Sequence, residues 1–418
     1  MPSIGGTPLR SKYWISRTGS SMRIERPVAE EGKPDTTDLF GQKRYTDHVI
    51  FYDSASTVEF LRRLESAGHA AGKYGDGTPL YRMAHALARA VIEVGRGTLA
   101  NWIIRPAELH YSRLYEALRR TLLSQPLIHG DETTVQVLKE PGKAAQSTSY
   151  MWVYRSAEGC AQPVVLFDYQ PERGQEHPQA FLAGYQGLLM TDGYAAWRTL
   201  EGPTHFGCLA HARRAFVDAL KGMKKPGGRA AQALEYFKAL YQVEALAKAD
   251  LPEGKMRVNY TYQLRQQHCV PLLEAFRKWL DEQAPQVLPE SLLGKAISYT
   301  RNQWTYNSRY VSDGHAPVDN NVIERDIRPF CTGRSSWLFS DTVAGAKASA
   351  IVYSLMLTCR ACNVEPYAYL VRPKGIERQL AIAQVSLVEK AWSSNHRRGR
   401  RICARLHHCW TDSERRIR

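Results

Sequence analysis

At Leu127 the spacing of apolar residues changes from three-and-four to two, and that change restricts the folds open to the chain. LIHGDETTVQVL, MWVYR (Met151–Arg155) and VVLFDYQ (Val164–Gln170) read as three successive strands. PERGQEH leads into a helix over HPQAFLAGY, and a short apolar strand, GLLMT, follows. THFGCLAHARRAF supplies a fifth strand running into a helix. This order predicts a mixed sheet with helical crossovers, so the expected class is α/β.

The flanking segments are helical in pattern. Upstream, Leu80, Met83, Ala84, Leu87 and Val91 mark a helix ending at Gly95. A tight Arg96–Gly97 turn and a Thr98 cap then start a second helix, TLANWIIRP, stopped by Pro106. The pair resembles a helix-turn-helix, with Arg96, Asn101 and Arg105 available for phosphates or base edges. It reads equally as a helical hairpin packed under the next domain. Leu109, Leu114, Leu118 and Leu122 define a further helix from Ala107 to Ser124, and TVEFLRRLESAG (Thr57–Gly68) a short earlier one. KKPGG (Lys224–Gly228) signals a linker, after which the β pattern is lost until about Tyr306 in favour of helices. GRSSWLFS reads as a strand or hairpin, and DTVAGAKASAIVYSLMLTCRACN as a long closing helix.

The expected organisation is an N-terminal arm (1–68), a helical unit (69–126), a core in two parts (127–223 and 307–371), a helical insertion (224–306) and a basic tail (372–418).

Three acids stand out by context. Asp131 lies mid-strand in HGDET, where an unpaired carboxylate is costly. Asp192 ends an apolar strand in TDGY, with Gly193 allowing a tight turn beside it. Glu324 sits in PVDNNVIERDIR (Pro317–Arg328), where Asp319 is a suitable N-cap for a helix running to Pro329. On that helix Asn320 and Glu324, Asn321 and Arg325, and Glu324 and Arg328 are each four residues apart and share a face. Singly, each acid also fits a turn, a strand edge or a solvated Glu–Arg pair. Together, three carboxylates repel one another unless cations neutralise them, and such oxygen ligands suit Mg²⁺ or Mn²⁺. Two such ions, about 3.5–4 Å apart, can activate a water or 3′-hydroxyl and stabilise the leaving oxygen of a phosphodiester.

Charge points the same way. The 418 residues carry 56 Lys+Arg against 41 Asp+Glu, a net +15, which favours a polyanion partner: nucleic acid first, an anionic membrane surface second. HRRGRRICARLHHCWTDSERRIR adds eight arginines at the end of the chain. No apolar run reaches the length of a membrane span and no signal-peptide pattern opens the chain, so a cytoplasmic location is expected. The eight cysteines are scattered. Cys359 and Cys362 form one CxxC, and Cys208 lies three residues before His211, but buried free thiols are the expectation for both pairs.

HGDETTVQVL, PERGQEHPQAFLAGYQGLLMTDGYAAW, GCLAHARRAF, VDNNVIERDIRPFCTGRSSWLFS and IVYSLMLTCRACNVEPYAYL together resemble the insertion-sequence-66 family of bacterial transposases, and GDGTPLYRMAHALARAVIEVGRGTLANWI resembles the segment ahead of its catalytic domain. The likeness covers about Tyr74 to Leu370. It implies an RNase H-like fold with a helical insertion before the last acid, and a DDE triad of Asp131, Asp192 and Glu324 holding two Mg²⁺ or Mn²⁺ ions. Cys208 and His211 match family positions whose role stays open. DNA contacts are expected at Arg96, Asn101, Arg105, Arg213, Arg214, Arg325 and Arg328. The implied partners are element ends and target DNA, with a homo-oligomer on DNA, possible accessory element-encoded proteins and no membrane. Residues 1–68, the stretch after Leu370 and the family's cysteine-rich zinc segment find no match, as expected of a truncated or divergent copy. A non-catalytic DNA-binding remnant and a nuclease without strand transfer are the alternative readings.

Overall fold

A computed structural model of the chain describes residues 70–89, 93–222, 227–249 and 255–371, with Gly68 and the backbone of five short strands between residues 14 and 51. Of those strands, β1 (Trp14–Thr18), β2 (Ser21–Glu25) and β5 (Val49–Phe51) form an antiparallel sheet, and β3 (Thr36–Thr37) pairs with β4 (Lys43–Arg44). The helix expected from Thr57 and the Arg-rich tail lie outside the described residues.

The alternating stretch folds as expected into β6 (Leu127–Lys139), β7 (Thr148–Ser156), β8 (Val165–Gln170), β9 (Leu188–Thr191) and β10 (Thr204–Gly207). The sheet order is β10-β9-β6-β7-β8. Strands β6, β7 and β8 run antiparallel, while β9 is parallel to β6 and β10 parallel to β9. This is a mixed α/β sheet with helical crossovers. Its β8 margin is closed by the chain itself: Phe167 N–H donates to Ser354 Oγ (2.7 Å) and Val165 N–H to Thr358 Oγ1 (3.0 Å). At the other margin Arg309 Nη1 donates to His205 O (2.7 Å).

Helix α1 (Leu80–Arg89) packs on α2 (Arg96–Pro106). Here the sequence reading needs correction. Arg96 and Gly97 begin α2 rather than forming a turn, and Pro106 does not stop it. The chain passes through one π turn, Ala107–Tyr111, into α3 (Ser112–Leu123). Proline lacks only one donor, and a widened turn accommodates that loss where the buried face continues. That face is Leu99, Ile103, Ala107, Leu114, Leu118 and Leu122, whereas Leu109 is 63% exposed.

Crossovers α4 (Glu176–Phe181) and α5 (Ala195–Arg198) precede α6 (Leu209–Lys221). The described residues that follow α6 are helical: α7 (Arg229–Ala249), α8 (Lys255–Leu264), α9 (Val270–Gln283), α10 (Leu292–Asn302) and α11 (Trp304–Ser308), referred to below as the insertion. It builds a second core around Phe216, Phe237, Phe276 and Leu280, joined to the sheet through Met190 and Phe206. Arg265 and Glu244 form a buried pair there, with Nε–Oε1 at 2.8 Å and Nη2–Oε2 at 2.7 Å.

The last acid lies on α12 (Asn321–Trp337), followed by β11 (Ser340–Thr342), α13 (Val343–Ala361) and α14 (Pro366–Val371). Two expectations fail on α12. It starts after Asn320 rather than at Asp319, whose Oδ1 accepts the Asn321 N–H (3.1 Å). It also runs through Pro329, so GRSSW is helix and only Ser340–Thr342 pairs, in parallel, with the far end of β6. Burial of Phe330 among Phe167, Trp337 and Tyr353 offsets the cost of the proline.

Candidate active site

Strands β6 and β9 pair in parallel with Leu127 opposite Leu188, Ile128 opposite Leu189 and His129 opposite Met190. That register is a constant offset of 61, the separation of Asp131 from Asp192. Continuing it two residues past the last pair sets the two acids abreast, where β9 ends and β6 runs on. Asp131 Oδ1 accepts the Glu132 N–H (2.8 Å), and Asp192 Oδ1 accepts the Tyr194 N–H (2.9 Å), which turns the chain into α5.

Asp131 shares a face of β6 with His129 and Thr133, and α12 packs on that face. Asn320 makes the junction. It is fully buried, its Nδ2 donates to Gly130 O (3.0 Å), and its Oδ1 lies 2.7 Å from His129 Nδ1. Burial lowers the His129 pKa to about 4, so the neutral ring carries its proton on Nδ1 and donates to the amide oxygen. Cys208 Sγ accepts the Asn320 N–H (3.1 Å), and burial pushes that thiol up to about 12. The cysteine in CLAHARR is thus a neutral buried acceptor for the residue that precedes α12. One turn beyond Asn320, Glu324 meets side chains of α6. Arg214 Nη2 donates to its Oε1 (3.3 Å) and Oε2 (3.0 Å), and His211 Nε2 lies 3.8 Å from Oε1.

Burial, reinforced by Glu132, Asp192 and Glu324, raises the Asp131 pKa to about 8. From its ordinary value of 3.8 up to about 8, the native metal-free protein keeps a proton that the unfolded chain has released. Stability therefore falls as pH rises through that window, and a divalent cation that binds this carboxylate displaces the proton. Calorimetry of Mg²⁺ addition at pH 7, in buffers of different ionisation enthalpy, should register release of about one proton. Asp131→Asn should abolish that release.

Sequence reasoning passed over Glu132. Strand alternation points it to the opposite face, where Arg173 Nε (2.9 Å) and Trp197 Nε1 (2.9 Å) donate to it. Arg173 in turn stacks on Tyr194 at 3.7 Å. Gly130 is required on that face because an added Cβ would come within 2.7 Å of Trp197. The adjacent acids in HGDET, read with period two, were the available signal.

The expected DNA contacts fall in two places. Asn101 and Arg105 are exposed four residues apart on α2, and Arg96 lies 5.9 Å from the Tyr81 ring. Arg213, Arg214, Arg325 and Arg328 are exposed on α6 and α12, near Glu324. Arg214 is matched by Glu324, and Arg325 by Glu158 at 2.5 Å.

Among the described residues, no three His, Cys, Asp or Glu side chains are gathered closely enough to form a ready-made metal group, and no helix is long and apolar enough to cross a membrane. The donor chemistry nonetheless suits a hard divalent cation: burial first, and then the charges of Glu132, Asp192 and Glu324, disfavour the ionised Asp131 carboxylate, and a bound cation would reverse that balance.

Comparison with known proteins gives the chain relatives. Uncharacterised protein y4jD of Sinorhizobium fredii (strain NBRC 101917 / NGR234) is 30% identical over 305 residues, covering 70% of this chain and 58% of that protein. Uncharacterised protein y4qI of the same organism is 28% identical over 316 residues, covering 72% and 57%. The chain thus spans less than two-thirds of the length of these relatives. The pattern described as "Transposase IS66 family" matches residues 66–348, which take in all three acids, the helical insertion and α12. The chain belongs to the IS66 family of transposases.

Proposed function

We propose that this protein is a DNA transposase that cuts at the ends of an insertion sequence and joins the freed ends to target DNA, by metal-dependent phosphoryl transfer on an RNase H-like core. The observation that carries the reading is the β6–β9 register, whose offset, continued past its last pair, brings Asp131 level with Asp192, while α12, which bears Glu324, packs against β6. The sheet supports it too: numbered from β6, the order is 3-2-1-4-5, with three antiparallel strands followed by two parallel ones.

Asp131, Asp192 and Glu324 are the residues assigned to hold two Mg²⁺ or Mn²⁺ ions, which when bound activate the attacking hydroxyl and stabilise charge on the leaving oxygen. Water attacks the phosphodiester at the element end, releasing a 3′-hydroxyl. That hydroxyl attacks a target phosphodiester in line, so one P–O bond forms as another breaks. Exposed Arg213 and Arg328 hold backbone phosphates beside the acids, and the α1–α2 unit contributes Arg96, Asn101 and Arg105. The protein acts in the bacterial cytoplasm on nucleoid DNA, as a homo-oligomer that pairs two ends, with accessory element-encoded proteins where required.

The test is incubation of the full chain with plasmid carrying element ends, with Mg²⁺ or with EDTA. Mg²⁺-dependent nicking followed by joined product is expected. Nicking without joining would identify a nuclease, and metal-independent binding without cleavage a non-catalytic DNA-binding protein.

A further inference from the structure

The helical insertion packs against the turn that follows Asp192, and a side chain of α5 ties the two together. Arg198, at the end of α5, is mostly buried, with its guanidinium over the Tyr306 ring at 4.0 Å. Its Nη2 donates to Asp192 O (2.8 Å) and to Gln303 Oε1 (3.3 Å), and its Nη1 donates to Phe206 O (3.2 Å). One guanidinium thus ties together the backbone of the second acid, the neighbouring strand and the turn between α10 and α11. The approach is close on the other side as well. A Cβ at Gly193 would meet Tyr299 at 3.0 Å and Gln303 at 3.1 Å. The insertion also reaches the approach to α12, where Tyr241 Oη on α7 donates to Asp319 Oδ2 (2.8 Å).

We infer that Arg198 is a positioning residue, fixing the Asp192 turn against Gln303 and Tyr306 so that the helical insertion sets where the second acid stands. The guanidinium geometry suits the task. Its planar fork serves three acceptors at once, whereas a lysine offers a single flexible point charge. Removing it leaves the Asp192 carbonyl without its charged donor and loosens the turn that aims the carboxylate. Changing a residue that orients a ligand typically costs about 10–100-fold in metal affinity. The inference rests on the assignment of Asp192 as a metal ligand.

Mn²⁺ binding to the full chain, followed by the electron paramagnetic resonance of free Mn²⁺, tests it alongside plasmid nicking and DNA retention. Arg198→Met keeps the packing on Tyr306 and removes every donor. It is expected to weaken Mn²⁺ binding and slow nicking by about tenfold or more, with DNA retention unchanged. Arg198→Ala should regain part of both in tens of millimolar guanidinium, a recovery that general loosening of the fold would not produce. Gln303→Ala, which cuts only the bridge to the insertion, should shift both measurements in the same direction by less, and it carries the test if Arg198→Met fails to fold. Wild-type Mn²⁺ affinity in Arg198→Met, or in Gln303→Ala where that variant stands in, overturns the positioning role, as does a defect in Arg198→Ala that guanidinium does not relieve. Asp192→Asn separates the two ideas: if that variant binds Mn²⁺ and nicks like wild type, the assignment of the acid itself falls.

Discussion

On the proposed mechanism, Asp131→Asn should reduce Mg²⁺-dependent strand cleavage by about 10³-fold or more, because it removes one of the carboxylates proposed to hold ions that supply several kcal/mol of transition-state stabilisation. DNA retention should change little, since the exposed arginines on α2, α6 and α12 remain. Glu324→Gln should lose cleavage to a similar degree while retaining DNA at least as well as wild type, because Arg214 is released from its carboxylate partner. Glu132→Gln is the informative neighbour. Its side chain lies on the opposite face, held by Arg173 and Trp197, so it should lower stability while sparing the chemical step. Plasmid nicking and filter binding of the three variants decide the matter. Cleavage by Asp131→Asn at the wild-type rate in Mg²⁺ would remove the mechanism.

The largest stability effect is expected inside the insertion. Arg265→Met leaves the Glu244 carboxylate without its partner and deprives Tyr310 O and Asp313 O of a shared donor (3.0 and 2.6 Å). The two side chains are only 3% and 11% exposed, so solvent screens the pair little. Breaking such a pair from one side costs about 3–5 kcal/mol. Because a chain of this size need not unfold in one step, the loss is best read as faster amide exchange across α7 and α8, together with an earlier urea transition. Arg265→Met combined with Glu244→Leu should recover much of the loss, since no buried charge is then stranded. Unchanged exchange in the single variant would show that the pair contributes little.

The sheet was legible in the sequence because alternation is a strong local signal, and Asp131 and Asp192 were legible because each interrupts a strand pattern that accounts for its neighbours. The register was within reach as well, since the parallel ladder reproduces the separation between the two acids. Helix ends were less accessible. Pro106 and Pro329 look like stops locally, and both are overridden by distant contacts: the buried face continuing from Leu99 and Ile103, and the aromatic cluster around Phe330. Asn320 lay in plain view as a polar residue before a helix. Its bonds to His129 and Gly130, 191 and 190 residues away along the chain, exist only once α12 has docked. Arg198 carried no local signal, because all its acceptors come from other elements or from backbone carbonyls.

The hydroxyls of Ser354 and Thr358 along β8, and the guanidinium of Arg309 on β10, bear on how copies of this protein assemble. Two peptide N–H groups of β8, of Val165 and Phe167, and the His205 carbonyl of β10 are already engaged by side chains of the same polypeptide. A second copy therefore meets occupied ground if it tries to lengthen the sheet by adding a strand of its own. The proposed homo-oligomer would then be left with helical surfaces, or the nucleic acid itself, as the means of holding together.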